Sequence, residues 1–124
     1  MGKTILIIDD SSTMRKIVNR SLRQAGLEFD NVLEAGDGQA ALDILAGEAP
    51  DVILSDINMP VMDGLEFLKA KKDNPAIKDI PVVMVTTEGG SQDMVDRSME
   101  LGAKGCVKKP FTPDQVNEVL GPLL

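Results

Sequence analysis

The sequence predicts an α/β fold, in which helices cover both faces of a parallel β-sheet. Five short apolar runs alternate with helix-type patterns along the 124 residues. Polar residues follow several of these runs, which is where a parallel sheet places its chemistry. No repeat, low-complexity tract or linker interrupts the alternation, so we expect residues 1–124 to form one domain without an attached output domain.

The predicted strands are runs rich in branched apolar residues. The runs at 4–8 and 52–55 are almost unbroken, as expected for strands buried on both faces of a sheet. A weaker candidate lies at 31–35, and two more lie at 80–85 and 105–107. Each run is short enough for a strand and too short for an isolated helix.

The predicted helices have apolar residues at three- and four-residue spacing. Ser11 or Ser12 is expected to cap the first helix, and Gly26 to end it. Thr112, Pro113 and Gln115 suit the N-cap, first-turn and capping-box positions of the last helix. The residues expected to face inward are Met14, Ile17, Val18, Leu22 and Ala25; Ala40, Ala41, Ile44 and Leu45; Leu65 and Leu68; Met94, Val95, Met99 and Leu101; Val116, Val119, Leu120 and Leu123.

Five strands alternating with five helices favour a flavodoxin-like, doubly wound (βα)5 fold with strand order 2-1-3-4-5. In this order the first and third strands are neighbours at the topological switch point. Asp9 and Asp10 follow the first strand, and Asp56 follows the third. We therefore expect three carboxylates to converge at one edge of the sheet, near Thr86 and Lys109.

Three neighbouring carboxylates repel one another and need a cation. Mg²⁺, or Mn²⁺ in its place, suits oxygen ligands of this kind beside a phosphoryl group. The chain has no His and one Cys, which excludes an ordinary zinc site. Lys109 offers a positive charge and Thr86 a hydroxyl donor, and a carboxylate can attack phosphorus to form an aspartyl-phosphate.

Composition narrows the class of protein further. A net charge of −7 argues against non-specific nucleic-acid binding, and no apolar run is long enough for a membrane helix. The single cysteine, Cys106, cannot form an internal disulfide, which fits the reducing cytoplasm. A buried structural role suits this thiol better than a redox-sensing one.

Each of these residues also has an ordinary structural explanation. Acids are favoured at helix starts and in turns, threonine at strand ends, and lysines on solvated surfaces. Asp63-Gly64 suits a turn before the third helix, with glycine supplying backbone freedom, and the seven methionines suit a core. The functional interpretation depends on the agreement of four separate strand ends.

Together these motifs resemble the receiver domain of two-component response regulators over essentially the whole chain. Ser12-Thr13-Met14-Arg15 is similar to the single-domain chemotaxis regulators of the CheY type. The other matching stretches are Ile8-Asp9-Asp10-Ser11, Asp56-Ile57-Asn58-Met59-Pro60-Val61-Met62-Asp63-Gly64, Val85-Thr86 and Lys109-Pro110-Phe111.

The resemblance implies a role for each site residue. Asp56 matches the phosphoacceptor, Asp10 a direct metal ligand, and Asp9 a residue that acts on the metal through water. The metal set, with Asp9, Asp10 and Asp56, is completed by the backbone carbonyl of Asn58. Thr86 matches the hydroxyl that turns toward the phosphoryl group.

Lys109 matches the ammonium that faces the phosphoryl group in the family, and its bond to Pro110 is usually cis there. Lys108 is the rival lysine, but it does not adjoin the proline. Asn58 and Glu88 match positions that border the path of the attacking water and so modulate the lifetime of the phosphoform.

The resemblance also implies how the signal is transmitted. Phosphorylation would draw Thr86 and the loop 88–91 inward and change the surface of the fourth helix, fifth strand and fifth helix. The family often carries an aromatic switch residue at the position of Cys106, so an aromatic rotamer switch is not available here. Switching would depend on Thr86 and the loop.

The expected protein is a monomeric cytoplasmic signalling protein that catalyses only its own phosphorylation and dephosphorylation. Its expected partners are a chemotaxis-type histidine kinase of the CheA kind and an effector such as a flagellar motor switch; an auxiliary phosphatase is a further candidate partner. We expect no nucleic acid and no membrane insertion.

Several other functions share part of this pattern. A phosphate sink or kinase-regulating receiver has the same chemistry without a motor target. A phosphohydrolase of the haloacid-dehalogenase type needs Asp-x-Asp-x-Thr, which Asp9-Asp10-Ser11-Ser12-Thr13 does not match. A nucleotide or flavin carrier needs a Gly-rich loop after the first strand, which this chain does not have. A pseudo-receiver scaffold would not need the complete site.

Overall fold

The backbone alternates strictly between strands and helices, as the hydrophobic pattern predicts. The computed structural model describes residues 3–57, 61–87, 92–109 and 112–123, and for Thr87, Lys108 and Lys109 it describes the backbone alone. Within these residues five strands form one sheet: β1 Thr4–Ile8, β2 Asn31–Ala35, β3 Val52–Asp56, β4 Val82–Thr87 and β5 Gly105–Lys109. Five helices alternate with them: α1 Ser12–Gln24, α2 Gly38–Leu45, α3 Gly64–Lys72, α4 Gln92–Glu100 and α5 Pro113–Leu120.

The sheet is entirely parallel and has the order β2-β1-β3-β4-β5, which confirms the predicted flavodoxin-like topology. Its register pairs Ile8 of β1 with Ala35 of β2 and with Ser55 of β3. Asp56 at the end of β3 pairs with Val85 of β4. The ends of β1 and β3 therefore lie side by side at the switch point.

Two hydrophobic cores lie on opposite faces of the sheet, because successive strand residues point to opposite sides. Leu6, Ile53 and Met84 belong to the core covered by α2, α3 and α4. Ile7, Leu54 and Val85 belong to the core covered by α1 and α5. Among the described residues, no helix is long and apolar enough to cross a membrane.

Helix capping follows the predicted signals closely. Ser11 is the N-cap of α1, and its hydroxyl accepts the Met14 N–H at 3.2 Å. Gly26 follows the last residues of α1 with φ of +80°, the left-handed conformation that glycine adopts without strain. Thr112 and Gln115 form the predicted capping box of α5, with Pro113 in the first turn.

Three predictions about the elements are corrected. Strand β4 begins at Val82 rather than residue 80, because Pro81 has no N–H and the Ile80 N–H donates to the Ile77 carbonyl in the preceding turn. Ile17 and Met99 were expected to face inward, but they are 48% and 47% exposed. Helix α5 ends at Leu120, and Leu123, in the following 3-10 turn, packs against the core as expected, although it is only partly buried.

The role predicted for Gly64 also changes. Its φ is not in the left-handed region, where Val61 of the same loop lies instead, with φ of 65°. Gly64 is needed because a Cβ there would contact the Asp56 carbonyl oxygen and would lie 2.8 Å from Ile57 Cα. Close packing of α3 against the end of β3, rather than turn conformation, therefore selects glycine.

Candidate phosphoryl and metal site

The three predicted acids meet where β1 and β3 end. One carboxylate oxygen from each of Asp9, Asp10 and Asp56 lies within 4.8 Å of those of the other two. Asp9 and Asp56 are buried, at 3% and 7% exposed, whereas Asp10 is exposed to solvent. The cluster is therefore enclosed at Asp9 and Asp56 and open to solvent at Asp10, which suits a site that receives groups from solution.

Backbone and side-chain contacts hold Asp9 in place. The Ser11 N–H donates to Asp9 Oδ1 at 2.9 Å, and the Asp9 N–H donates to the Ala35 carbonyl at 3.0 Å. Arg15 donates through Nη1 to the Asp9 carbonyl oxygen and through Nε to Glu34 Oε1 at 2.9 Å. The turn from β1 into α1 is thus fixed to β2, with one oxygen of Asp9 already engaged by the backbone.

Asp56 occupies the last position of β3, and hydrogen bonds hold the backbone at this position in place. Its carbonyl oxygen accepts the Ser55 hydroxyl at 3.0 Å. The next residue, Ile57, bonds across to β4, donating to the Val85 carbonyl at 3.1 Å. Its own carbonyl accepts the Gly64 N–H at 2.7 Å. The start of α3 is therefore packed directly against the backbone that presents Asp56.

The donor set fits a magnesium-type ion. All three side chains supply hard carboxylate oxygens, and their mutual repulsion is relieved by a divalent cation. One or two carboxylates with open positions for water and phosphate is the arrangement that Mg²⁺ prefers. The observed spread of 4.8 Å is compatible with ligands arranged around one ion.

The remaining predicted residues lie on the neighbouring strands or outside the described part of the chain. Thr86 is buried, at 2% exposed, and follows the β4 residue that pairs with Asp56. The backbone of Lys109 pairs with Thr87 at the carboxyl end of β5. The side chains of Lys108 and Lys109 are not described, and Asn58, Glu88 and Pro110 lie outside the described residues.

Sequence reasoning did not identify two contributors to this site. Arg15 matched the family motif, but its bonds to Asp9 and Glu34 depend on the pairing of β1 with β2. Gly38 was also missed. Its N–H donates to the carbonyl of Met62, in the loop between β3 and α3, at 3.0 Å. Neither contact leaves a periodic signal in the sequence.

Comparisons with known proteins identify the family of this chain. Residues 5–120 match the family model described as the response regulator receiver domain. The chain is 40% identical over 121 residues to the chemotaxis protein CheY homolog of Campylobacter jejuni, covering 97% of this chain and 91% of that protein. It is 38% identical over 117 residues to chemotaxis protein CheY1 of Helicobacter pylori, covering 94% and 92%.

Solved structures give the same result. The chemotaxis response regulator CheY4 of Vibrio cholerae is 36% identical and superposes with a TM-score of 0.83, with 100% of each chain covered. A response regulator from Chloroflexus aurantiacus is 31% identical, with a TM-score of 0.87 and coverage of 99% of this chain and 98% of that one.

Proposed function

Because the chain belongs to the response regulator receiver family and is a CheY-like signalling protein rather than a metabolic enzyme, we propose that it is a phosphoacceptor switch in which Asp56 receives a phosphoryl group. The observation that carries this proposal is the convergence of Asp9, Asp10 and Asp56 at the switch point of the sheet. A cytoplasmic location and a chemotaxis-type histidine kinase as donor belong to the same proposal.

In the proposed reaction a carboxylate oxygen of Asp56 attacks the phosphorus of a phosphohistidine. The new O–P bond forms as the P–N bond breaks, and the imidazole leaves and takes up a proton. Asp56 lies at the end of a strand that is bonded on both sides, so its carboxylate is held in one place for this attack. Because Asp56 is buried, only a phosphoryl donor that fits the site can reach its carboxylate.

Asp9 and Asp10 would hold Mg²⁺ or Mn²⁺ together with Asp56 and the Asn58 carbonyl. When bound, the ion would offset negative charge on the transferring group. Asp10 is exposed and suits direct ligation, whereas Asp9 is buried with one oxygen bonded to the Ser11 N–H and suits contact through water. Lys109 would supply a second positive charge from β5.

Thr86 is the proposed switch residue. It follows Val85, whose backbone bonds to the Asp56–Ile57 segment, so a hydroxyl here is near the acyl phosphate. Donation of that hydroxyl to a phosphoryl oxygen would shift the loop 88–91 and the adjoining surface of α4, β5 and α5. Asn58 and Glu88 would set the lifetime of the phosphoform, with self-dephosphorylation in seconds to minutes.

The test is the intact mass of the protein after incubation with acetyl phosphate, with and without Mg²⁺. We expect one phosphoryl adduct that requires the metal and is absent in Asp56→Asn. Asp43→Asn is the matched control, because Asp43 is an exposed acid on α2, away from the acid cluster. Adduct formation in Asp56→Asn, or none in the unmodified protein, would contradict the proposal.

A phosphate sink or kinase-regulating receiver is the second candidate. Cys106 in place of an aromatic switch residue favours it, because one route for signalling to a motor is missing. Titration of the phosphoform with a flagellar motor-switch peptide separates the two functions. Tight, phosphorylation-dependent binding supports a messenger, and its absence supports the sink.

A further inference from the structure

A cavity of about 230 Å³ lies at the end of the molecule opposite to the acid cluster. Lys71 and Lys72 line it from the carboxyl end of α3, Glu100 from the carboxyl end of α4, and Lys78 and Asp79 from the segment before β4. Crossover helices run opposite to the strands of a parallel sheet, so these helix ends lie where the strands begin. Since a water molecule takes about 30 Å³ of liquid volume, a small ion of several atoms fits this space.

Lys71 is an unusual residue for a cavity wall. The buried residues Phe67 and Leu68 lie four and three positions before it, so the helical repeat places Lys71 on the apolar face of α3. Lys71 is only 5% exposed, and lysine is almost never fully buried unless it is paired. A helix carboxyl end favours cations at its surface, which explains the exposed Lys72 but not a lysine on the buried face.

The buried ammonium of Lys71 has no carboxylate partner within the described part of the chain. The ion pairs found there join Arg15 to Glu34 and Arg97 to Asp93. Lys71 Nζ donates to the carbonyl oxygen of Lys78 at 2.8 Å, which uses one of the three N–H groups of an ammonium. Two donors therefore remain for a ligand in the cavity, and an anionic ligand would supply the missing charge partner.

Positive charge surrounds this cavity, although the whole chain has a net charge of −7. Three lysines and two acids line it, and a further lysine, Lys104, lies close by. Burial lowers the pKa of Lys71, with Asp79 opposing the shift and Lys104 adding to it. A bound anion would favour the charged form of Lys71 and offset the repulsion between the lysines.

We propose that this cavity, defined by Lys71, Lys72, Lys78, Asp79 and Glu100, is a binding site for a small oxyanion of the size of phosphate, with Lys71 Nζ donating to one of its oxygens. The bound ion would join α3 to the segment before β4 and so stabilise the folded protein. The inference is independent of the proposed function, because none of Asp9, Asp10 and Asp56 lines this cavity.

The test is titration of the ¹⁵N-labelled protein with inorganic phosphate, followed by ¹H–¹⁵N correlation spectra at constant ionic strength. EDTA is present throughout, so that no divalent metal can hold phosphate at the acid cluster. We expect saturable shifts of the backbone amides of Lys71, Lys78 and Gly102, which border the cavity. A parallel titration with acetate identifies the preferred class, since the ion with the lower dissociation constant is either a phosphate or a carboxylate.

Three variants measure the contribution of the cavity charges. Lys71→Met keeps an unbranched side chain and removes the charge, so the dissociation constant should rise about tenfold. Because this position is buried, the surface double variant K72Q/K78Q gives an independent measurement and should raise the dissociation constant about threefold. Glu100→Gln removes an acid that repels the anion and should lower the dissociation constant about twofold. Lys16→Gln, at an exposed position on α1, is the control and should leave it unchanged.

Several outcomes would overturn the inference. They are the absence of saturation with both ions, shifts centred on residues away from the cavity, equal affinity in wild type, Lys71→Met and K72Q/K78Q, or weaker binding in Glu100→Gln. Shifts spread over the exposed lysines without saturation would show an adventitious ion only. The proposed function is tested separately by the mass of the protein after acetyl phosphate treatment, and its outcome leaves the oxyanion site unaffected.

Discussion

Gly64 packs so tightly against Asp56 that a side chain at Gly64 would contact the Asp56 carbonyl oxygen. The same added Cβ would lie 2.6 Å from Met84 Cε. The first residue of α3 and the backbone of the proposed phosphoacceptor therefore pack directly against each other at the end of β3. This contact explains why the helix begins with the smallest residue, and it leads to the first prediction.

Gly64→Ala should lower the free energy of unfolding by about 2–3 kcal/mol, because the added methyl group must displace backbone atoms. It should also slow phosphorylation, because the backbone that the methyl group displaces is the segment that positions the Asp56 carboxylate. Urea denaturation and the rate of adduct formation from acetyl phosphate measure the two effects. Gly47→Ala is the control, because a Cβ there has no atom within 4 Å, and it should neither destabilise the protein nor slow adduct formation.

Asp10→Asn should stabilise the metal-free protein by about 0.5–1 kcal/mol, because one of three mutually repelling carboxylates is removed. The same change should reduce the stabilisation gained on adding Mg²⁺, since a ligand that binds only the folded state raises the melting temperature. Thermal unfolding with EDTA and with excess Mg²⁺ measures both. Loss of stability in EDTA would show that repulsion does not control this cluster.

Val61→Asn should stabilise the protein by roughly 1 kcal/mol. Val61 has φ of 65° and is 81% exposed, so a β-branched residue occupies a left-handed conformation without burying its side chain. Asparagine adopts this conformation at lower cost. Urea denaturation checks the gain, with Val61→Ala as the matched variant; an equal gain in both would assign the effect to the side chain rather than to φ.

Lys71→Met should change how stability depends on alkaline pH. Burial lowers the pKa of Lys71, with Asp79 opposing the shift and Lys104 adding to it, while its Nζ donates to the Lys78 carbonyl at 2.8 Å. Because the folded pKa is below the unfolded value of about 10.4, the unfolded chain binds more protons in the interval between them. The Lys71 contribution to stability therefore rises with pH across that interval.

Denaturation of wild type and Lys71→Met from pH 7 to 10.5 tests this prediction. The difference in unfolding free energy should move in favour of the wild type as pH rises. Lys72→Met is the control, since Lys72 is an exposed neighbour on α3. A pH-independent difference for Lys71→Met would contradict the prediction.

Much of the fold could be predicted because the relevant signals are local. Buried strands and capping residues such as Ser11 and Thr112 can be recognised from a few neighbouring positions in the sequence. The convergence of Asp9 with Asp56 followed from the topology alone. Ile17 and Met99 could not be placed correctly, because periodicity identifies a helical face but not the part that a neighbouring element covers.

The close contacts were beyond the reach of sequence patterns. The packing of Gly64 on Asp56 and the bonds from Arg15 to Asp9 and Glu34 join residues that meet only after the sheet has formed. The left-handed Val61 is a further case, because its residue type favours a different conformation. Such features arise where tertiary contacts override the conformational preference of the individual residue.

The strand order also determines which part of the sequence encodes the acid cluster. Strands β2, β1 and β3 are adjacent in the sheet and are all encoded within residues 4–56. Asp9, Asp10 and Asp56 therefore come from the first half of the chain, whereas Thr86 and Lys109 come from the second half. Exchange of the second half for that of a related sequence would replace the proposed switch residue and lysine and leave all three acids in place.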